Sequence, residues 1–543
     1  MKQKSIIIIL MLAIIITGCS LVGIYPAKSI IEKTPVKYQK GISQTLEKAG
    51  KNKKELLKVL YHYQNNPQKL EAAAFLIANM QDHQFADVII VDSLDNEIVF
   101  DVLDFENYHK IVDYLDSLET TQGELHWKVN ERRKDAETIS SELLIKHIDL
   151  AVTAYETLPW THELGWKTFM EFVLPYRGSS EPLSDWRTYF WNEFSAFRDS
   201  TSDPITLANL INNKCREMFK FKDVYYLHPT DQSLEEMLET GYGRCEDMTN
   251  FTIYATRANG LAVTSDYTPH WPDGSNNHAW NAIILSEDKA IPFMGAEADP
   301  GEYSLGRKVA KVYRKLFFEE ENSLGSKMGE GEKAPPWLSG KNYRDVTDQY
   351  TETTDVNIVK LESEKKWAYL AVFNSNKWKA IQWAEIDSSG NAVFTSMGKD
   401  IAYLPMYYVQ IDSADSTKDK SDDDKPKYEL KSAGNPFILT EAGSIEKFDD
   451  LELDLRPIIK DSIIIKKIAK NIKVKPEINY EFFIWENGNW NSLQDSIKVD
   501  TTAVGDSLIF DHYFQNSLYK LQDDEDNEEV RIFTIEERKQ KIW

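Results

Sequence analysis

The period of the hydrophobic positions changes twice along the chain. Up to about residue 204 it is mostly helical. Asn66 can cap, Pro67 suits a first turn, and Leu70, Ala73, Ala74 and Ile77 then follow at i, i+3, i+4 and i+7. Further helical patterns run through 105–160, so 41–204 reads as a helical N-terminal domain. The periods mix over 205–320. Met248, Phe251 and Ala255 keep helical spacing and stop at Asn259-Gly260. LAVTSDY (261–267) and HAWNAIIL (278–285) read as strands, and the alternation puts His278, Trp280, Ala282 and Ile284 on one face. The Gly/Ser/Pro-rich stretch 321–345 reads as a linker.

Beyond it the period is two. WAYLAVFN (367–374), KWKAIQWAEI (377–386) and NAVFTSM (391–397) predict short strands, and FFIWENGNWNSL (482–493) predicts a hairpin around Asn487-Gly488. A charged run, 412–429, separates the two regions as a linker or solvated loop. YLAVFNSNKWKAI (369–381) and YEFFIWENGNWNSL (480–493) share an order: Tyr, apolar strand, Asn-containing turn, Trp. Strands ending in Phe394 and Phe510 follow, then Tyr403-Leu404 and Leu518-Tyr519. The expectation is two C-terminal β-sandwich domains, 346–432 and 433–543, within an α+β multidomain chain. Tryptophans on such sandwiches belong mostly to cores, and those left exposed can stack on glycans or peptides.

A length of 543 residues implies several cores. The formal net charge of −24 speaks against a nucleic-acid partner, which needs a basic footprint. Lys2 and Lys4 precede an apolar run, Ile6 to Ile16, too short to span a bilayer comfortably. The run ends Thr17-Gly18-Cys19, which resembles a bacterial lipoprotein signal. That resemblance implies a signal peptide over 1–18, a lipid on Cys19, and a cell-envelope location, at the outer membrane. Residues 19–40 read as a tether. The two remaining cysteines, Cys215 and Cys245, could pair in an exported chain, which would mask any thiol chemistry.

Candidate chemistry converges on 241–300. Cys245 follows the turn Gly-Tyr-Gly-Arg and opens a helix, where the macrodipole favours a thiolate and backbone N–H groups can hold an oxyanion. His278 heads a strand as the base, and Asp299 follows the next apolar run as its orienter, with Asp288 and Glu297 as alternatives and His270 as a second nearby histidine. Trp271, Trp280 and Tyr242 are candidate substrate-binding walls. Asp247 reads as a cap, and Arg257 as an ion-pair partner. The aromatic segment 171–194 reads as an interdomain core. No Cys/His spacing suits a metal, no phosphate loop is present, and no cofactor is implied.

GRCEDM, TRANGLAV, YTPHW, NNHAWN and EADP together resemble the transglutaminase-like superfamily, whose core is papain-like. The family pattern places a Cys in Gly-x-Cys-x-Asp, a His in His-x-Trp and an Asp shortly after, which match Cys245 with Asp247, His278 with Trp280, and Asp299. The resemblance implies a Cys-His-Asp enzyme core over 205–320 that acts on a peptide, glycopeptide or protein through a thioester. Hydrolysis is the expected outcome. The alternatives are a cross-linking transglutaminase and a non-catalytic envelope scaffold for glycans or peptides. No motif fixes a side-chain oxyanion donor upstream of Cys245.

Overall fold

The computed structural model describes residues 26–411 and 427–448. Between 456 and 543 it describes all but 462, 476–477, 479, 494–496, 500–506, 511 and 524–528. Cys19 and the apolar run before it lie outside the described residues. Among those described, no helix is long and apolar enough to cross a membrane.

The N-terminal helices form as their spacing predicts. In Pro67–Asn79, Asn66 accepts the amide of Lys69 at 3.1 Å, and Leu70, Ala73, Ala74 and Ile77 are buried. Two features depart from the sequence reading. Residues 26–40 are not a tether: they form helix Ala27–Ile31 and the start of Val36–Lys48, and Ile30 is fully buried. The region is also not wholly helical. Gln84–Val91 pairs antiparallel with His126–Lys134, a segment (HWKVNERRK) whose side chains are all exposed. A strand held by backbone pairing and polar contacts such as Asn130 to Asp87 leaves no apolar period to read.

The core contains helices α1 (Pro204–Met218) and α2 (Cys245–Ala258) and strands β1 (Val263–Thr268), β2 (His278–Ser286), β3 (Lys289–Phe293), β4 (Tyr313–Lys315) and β5 (Tyr343–Asp345). They form one sheet in the order β3-β2-β1-β4-β5 with antiparallel neighbours. β5 falls in the stretch read as a linker, so the boundary expected at 320 cuts through a sheet. Alternation on β2 joins two cores. Ile283 packs with Phe251 and Ile253 of α2, whereas Ala282 and Ile284 pack with the N-terminal helices. Between β1 and β4, Arg314 donates to both carboxylate oxygens of the buried Asp266, at 2.9 and 2.8 Å.

The first β region contains β6 (Thr353–Ile358), β7 (Trp367–Asn374), β8 (Lys377–Glu385), β9 (Ala392–Gly398), β10 (Ile401–Ile411), β11 (Lys427–Ser432), β12 (Phe437–Leu439) and β13 (Ile445–Lys447). The second contains β14 (Ile463–Ile465), β15 (Tyr480–Glu486), β16 (Asn489–Ser492), β17 (Ile497–Val499), β18 (Leu508–Phe510), β19 (Tyr519–Asp523), β20 (Ile532–Glu536) and β21 (Lys539–Ile542). The main sheets run β8-β7-β10-β12-β13 and β16-β15-β19-β20-β21, the same order in each, with β11 added on β10 of the first. β6-β9 and β14-β18-β17 form the second layers, and each region has its own apolar core between layers. The repeated sequence order thus has a structural counterpart. Both hairpin turns take positive φ at two central residues, Ser375-Asn376 and Asn487-Gly488, which relieves the twist mismatch between paired strands. Buried Tyr403 and Tyr519 each donate to a carbonyl five residues back, Gly398 and Phe514, both at 2.8 Å.

Candidate active site

The Gly-Tyr-Gly-Arg turn places Cys245 by close packing. Gly241 has φ +68°, and a Cβ on Gly243 would lie 2.6 Å from the Phe219 ring and 2.7 Å from the Asp247 Cβ. Asp247 then caps α2, its carboxylate accepting the Arg244 amide at 2.9 Å, as its position suggests. Cys245 is the first residue of α2, half-buried against a cluster that contains Trp271, Trp280 and Met294. Cys215 lies apart in the core beneath α2, fully buried, and both thiols are free.

The electrostatics differ from the expectation of a helix-stabilised thiolate. Burial pushes the Cys245 thiol up. The Tyr226 hydroxyl opposes this, and the Glu297 carboxylate reinforces it. Tyr226 is one of the residues that sequence reasoning missed, as is Tyr303 beside His278. The Tyr226 hydroxyl lies 3.6 Å from Cys245 Sγ, and either group can be the donor. Tyr226 arrives from the short turn Asp223–Leu227, which carries no motif.

His278 begins β2, as predicted, and its ring stacks on Trp271 with centroids 6.1 Å apart. Burial pushes its imidazole down, and Arg307 adds to the effect. Both shifts act against the charged forms of the two groups. The orienting contact is not the expected one. Nε2 of His278 lies 2.7 Å from the Tyr303 hydroxyl. Asp299 instead accepts from Asn212 at 2.8 Å, Asn213 at 3.0 Å and Arg216 at 3.1 Å, all on α1. Nδ1 of His278 has no hydrogen-bond partner among the described residues.

Of the substrate walls read from sequence, Trp280 is fully buried and its indole donates to the Tyr350 hydroxyl at 3.1 Å, so it props β2 from within. Trp271 is 5% exposed and serves as the bed of His278. Tyr242 is 40% exposed beside Lys222. Among the described residues, Arg257 makes no ion pair. Its guanidinium donates to the carbonyls of Val263 at 2.7 Å and Arg177 at 2.6 Å, so it ties α2 to β1 and to the 171–194 segment. That segment is core: Trp186 and Arg187 are each 1% exposed, and Arg177 pairs with the buried Asp135.

Both β regions reach this site. The loop just before His278 is pinned by Asn374, whose amide lies 3.0, 3.1 and 2.9 Å from the carbonyls of Trp271, Gly274 and Asn276. Arg531, from the second region, donates to the Gly274 carbonyl at 3.0 Å and to that of Pro272. Behind Cys245, Lys315 donates to Glu246 at 2.6 Å, while Arg244 pairs with Asp231. Among the described residues, no cluster of His, Cys, Asp and Glu suits a metal ion.

Residues 177–293 match the family model of the transglutaminase-like superfamily. The match spans Cys245 and His278, ends before Asp299, and begins within the segment assigned from sequence to the helical domain. No curated protein matches the chain.

Proposed function

Given that residues 177–293 are a domain of the transglutaminase-like superfamily, we propose that this protein is a thiol enzyme that transfers the acyl group of a peptide or carboxamide through a Cys245 thioester. The observation that carries the reading is the shared apolar wall that seats Cys245 at the start of α2 and backs His278 with Trp271. With Nε2 engaged by Tyr303, Nδ1 is left to take the thiol proton. As that proton moves, Sγ attacks the carbonyl carbon and the carbonyl electrons pass to oxygen. The Tyr226 hydroxyl and the first amides of α2 stabilise the oxyanion. The C–N bond then breaks, and the imidazolium gives its proton to the departing amine. Water, deprotonated by His278, attacks the thioester and releases the acid, which regenerates the thiol.

The raised thiol and the lowered imidazole suit this order, because proton transfer and attack proceed together without a standing thiolate. Hydrolysis is the proposed outcome, since nothing in the sequence marks a second amine site. Asp299, braced on α1, is proposed to fix the turn after β3. The sequence around Cys19 supports a lipid-tethered protein of the cell envelope.

The test is a panel of peptides and glycopeptides incubated with the protein, with and without an added primary amine, and read by mass spectrometry. Acid products absent with Cys245→Ala support the hydrolase. Amine adducts identify a cross-linker. No Cys245-dependent product in either arm rejects the thiol-enzyme reading in favour of a scaffold.

A further inference from the structure

Away from the thiol, an open cleft of about 1090 Å³ lies where the core and both β regions meet. Trp337, from the short turn Pro336–Leu338, forms one side. Trp378 of β8 and Tyr408 and Tyr428 of β10 and β11 form the floor, and Trp485 and Trp490 of the β15–β16 hairpin close the other side. Trp378 and Trp485 are buried in an apolar cluster with Phe373 and Leu404, whereas Trp490, Tyr408, Tyr428 and Trp337 stay partly or largely exposed. Trp337 is 41% exposed, and Tyr408 stacks on Tyr428 with centroids 5.5 Å apart on a partly open surface. The indole N–H groups of Trp378 and Trp485 are buried without an acceptor, a destabilising arrangement that a well-optimised apolar core avoids.

Polar groups complete the wall. Asn376, Asn487 and Asn489 sit at the hairpin turns. Lys377 and Lys379 have no carboxylate partner among the described residues, whereas Lys431 is matched by Glu429 at 3.0 Å. The cleft is therefore locally cationic in a chain of net charge −24. Aromatic rings outnumber aliphatic side chains in it. Flat rings stack on the C–H faces of pyranoses, amide side chains bond ring hydroxyls, and unpaired ammonium groups select acidic substituents.

We infer that this cleft is a binding site for an acidic oligosaccharide, separate from the thiol chemistry and independent of it. The site holds its ligand non-covalently, so the core and the two β regions share a carbohydrate-recognition surface that includes the turns of both hairpins.

The test applies the full chain to an array of neutral, carboxylated and sulfated oligosaccharides, followed by titration of the best acidic binder. Retention should favour acidic members and weaken with salt. Trp337→Ala should lower affinity by about tenfold. Lys379→Glu should lower it and reduce its salt dependence, while Cys245→Ala leaves it unchanged. Retention of no acidic glycan overturns the inference, as does equal affinity for neutral chains. Full competition by polyglutamate, which would assign the cleft to acidic peptides, overturns it too, as does undiminished binding by Trp337→Ala.

Discussion

Nε2 of His278 lies 2.7 Å from the hydroxyl of Tyr303. The third position beside the histidine is thus held by a phenol, and the carboxylate of Asp299 is spent on Asn212, Asn213 and Arg216. The two roles separate by mutation. Tyr303→Phe should lower kcat/KM by about tenfold, equivalent to the loss of one oriented hydrogen bond, with little change in Tm. Asp299→Asn should do the reverse, lowering Tm and leaving kcat within a few-fold. Paired kinetics and calorimetry check this, and loss of turnover in Asp299→Asn alone would return the orienting role to the aspartate.

The loop that delivers His278 is held by residues far along the chain, Asn374 and Arg531. Removing the Asn374 amide leaves the buried Trp271 carbonyl without a donor among the described residues, while Gly274 keeps Arg531 and Asn276 keeps the Trp271 amide, so Asn374→Ala should destabilise by about 1–3 kcal/mol in urea titrations. Turnover should fall as well. The rate of Cys245 alkylation should not, because the thiol is seated by α2 and not by this loop.

The pH behaviour of the thiol follows from its burial. The Cys245 thiol is raised above its ordinary value, so alkylation by iodoacetamide should climb with pH and reach its plateau above that of a free cysteine (about 8.5). The Tyr226 hydroxyl favours the thiolate by hydrogen bonding. Tyr226→Phe should therefore shift the profile further upward and slow alkylation at any fixed pH below the plateau. A profile that moves down would place the hydroxyl in a different role.

Two carboxyl groups beside α2 have opposite linkage. Lys315 holds the Glu246 carboxyl down to about 2, so this pair adds stability above the ordinary glutamate range and loses it as pH falls toward 2. Burial holds the Asp231 carboxyl up to about 6. The folded state then binds the extra proton between about 6 and the ordinary aspartate value of about 3.9, and Asp231 adds stability as pH falls through that window. Against the parent Tm–pH curve, Glu246→Gln should lose stability mainly at neutral pH. Asp231→Asn should lose the component that grows between pH 6 and 4.

Tyr403 and Tyr519 test the repeat of the β regions. Each buried hydroxyl satisfies a carbonyl five residues back. Tyr403→Phe and Tyr519→Phe should each cost about 1 kcal/mol, and the double variant should show the sum within about 0.5 kcal/mol, read by urea denaturation. Tyr519→Phe should be the costlier of the two, because the Tyr519 hydroxyl also accepts the Phe514 amide at 2.8 Å, and a negligible cost of either variant would deny the equivalence.

Local signals carried much of this protein. The Gly-rich turn, the spacing Met248, Phe251, Ala255 and the stop at Asn259-Gly260 determined α2 and put Cys245 at its start. Alternation determined β2 and the position of His278 at its head. Turn residues determined the hairpins of the two β regions, and their shared order was visible as a repeat. All of these depend on neighbours within a few residues, which is the range over which periodicity and turn chemistry act.

Tertiary structure decided what depends on distant partners. The polar segment His126–Lys134 becomes a strand only because Gln84–Val91 offers it an edge. Residues 27–40 become packed helix through burial of Ile30, and the stretch read as a linker supplies β5 because β4 lies open to it. Which of Tyr303 and Asp299 reaches His278 is a matter of ångströms between loops, and no spacing encodes it. Burial likewise raises the Cys245 thiol, against the helix-start effect that the sequence made visible.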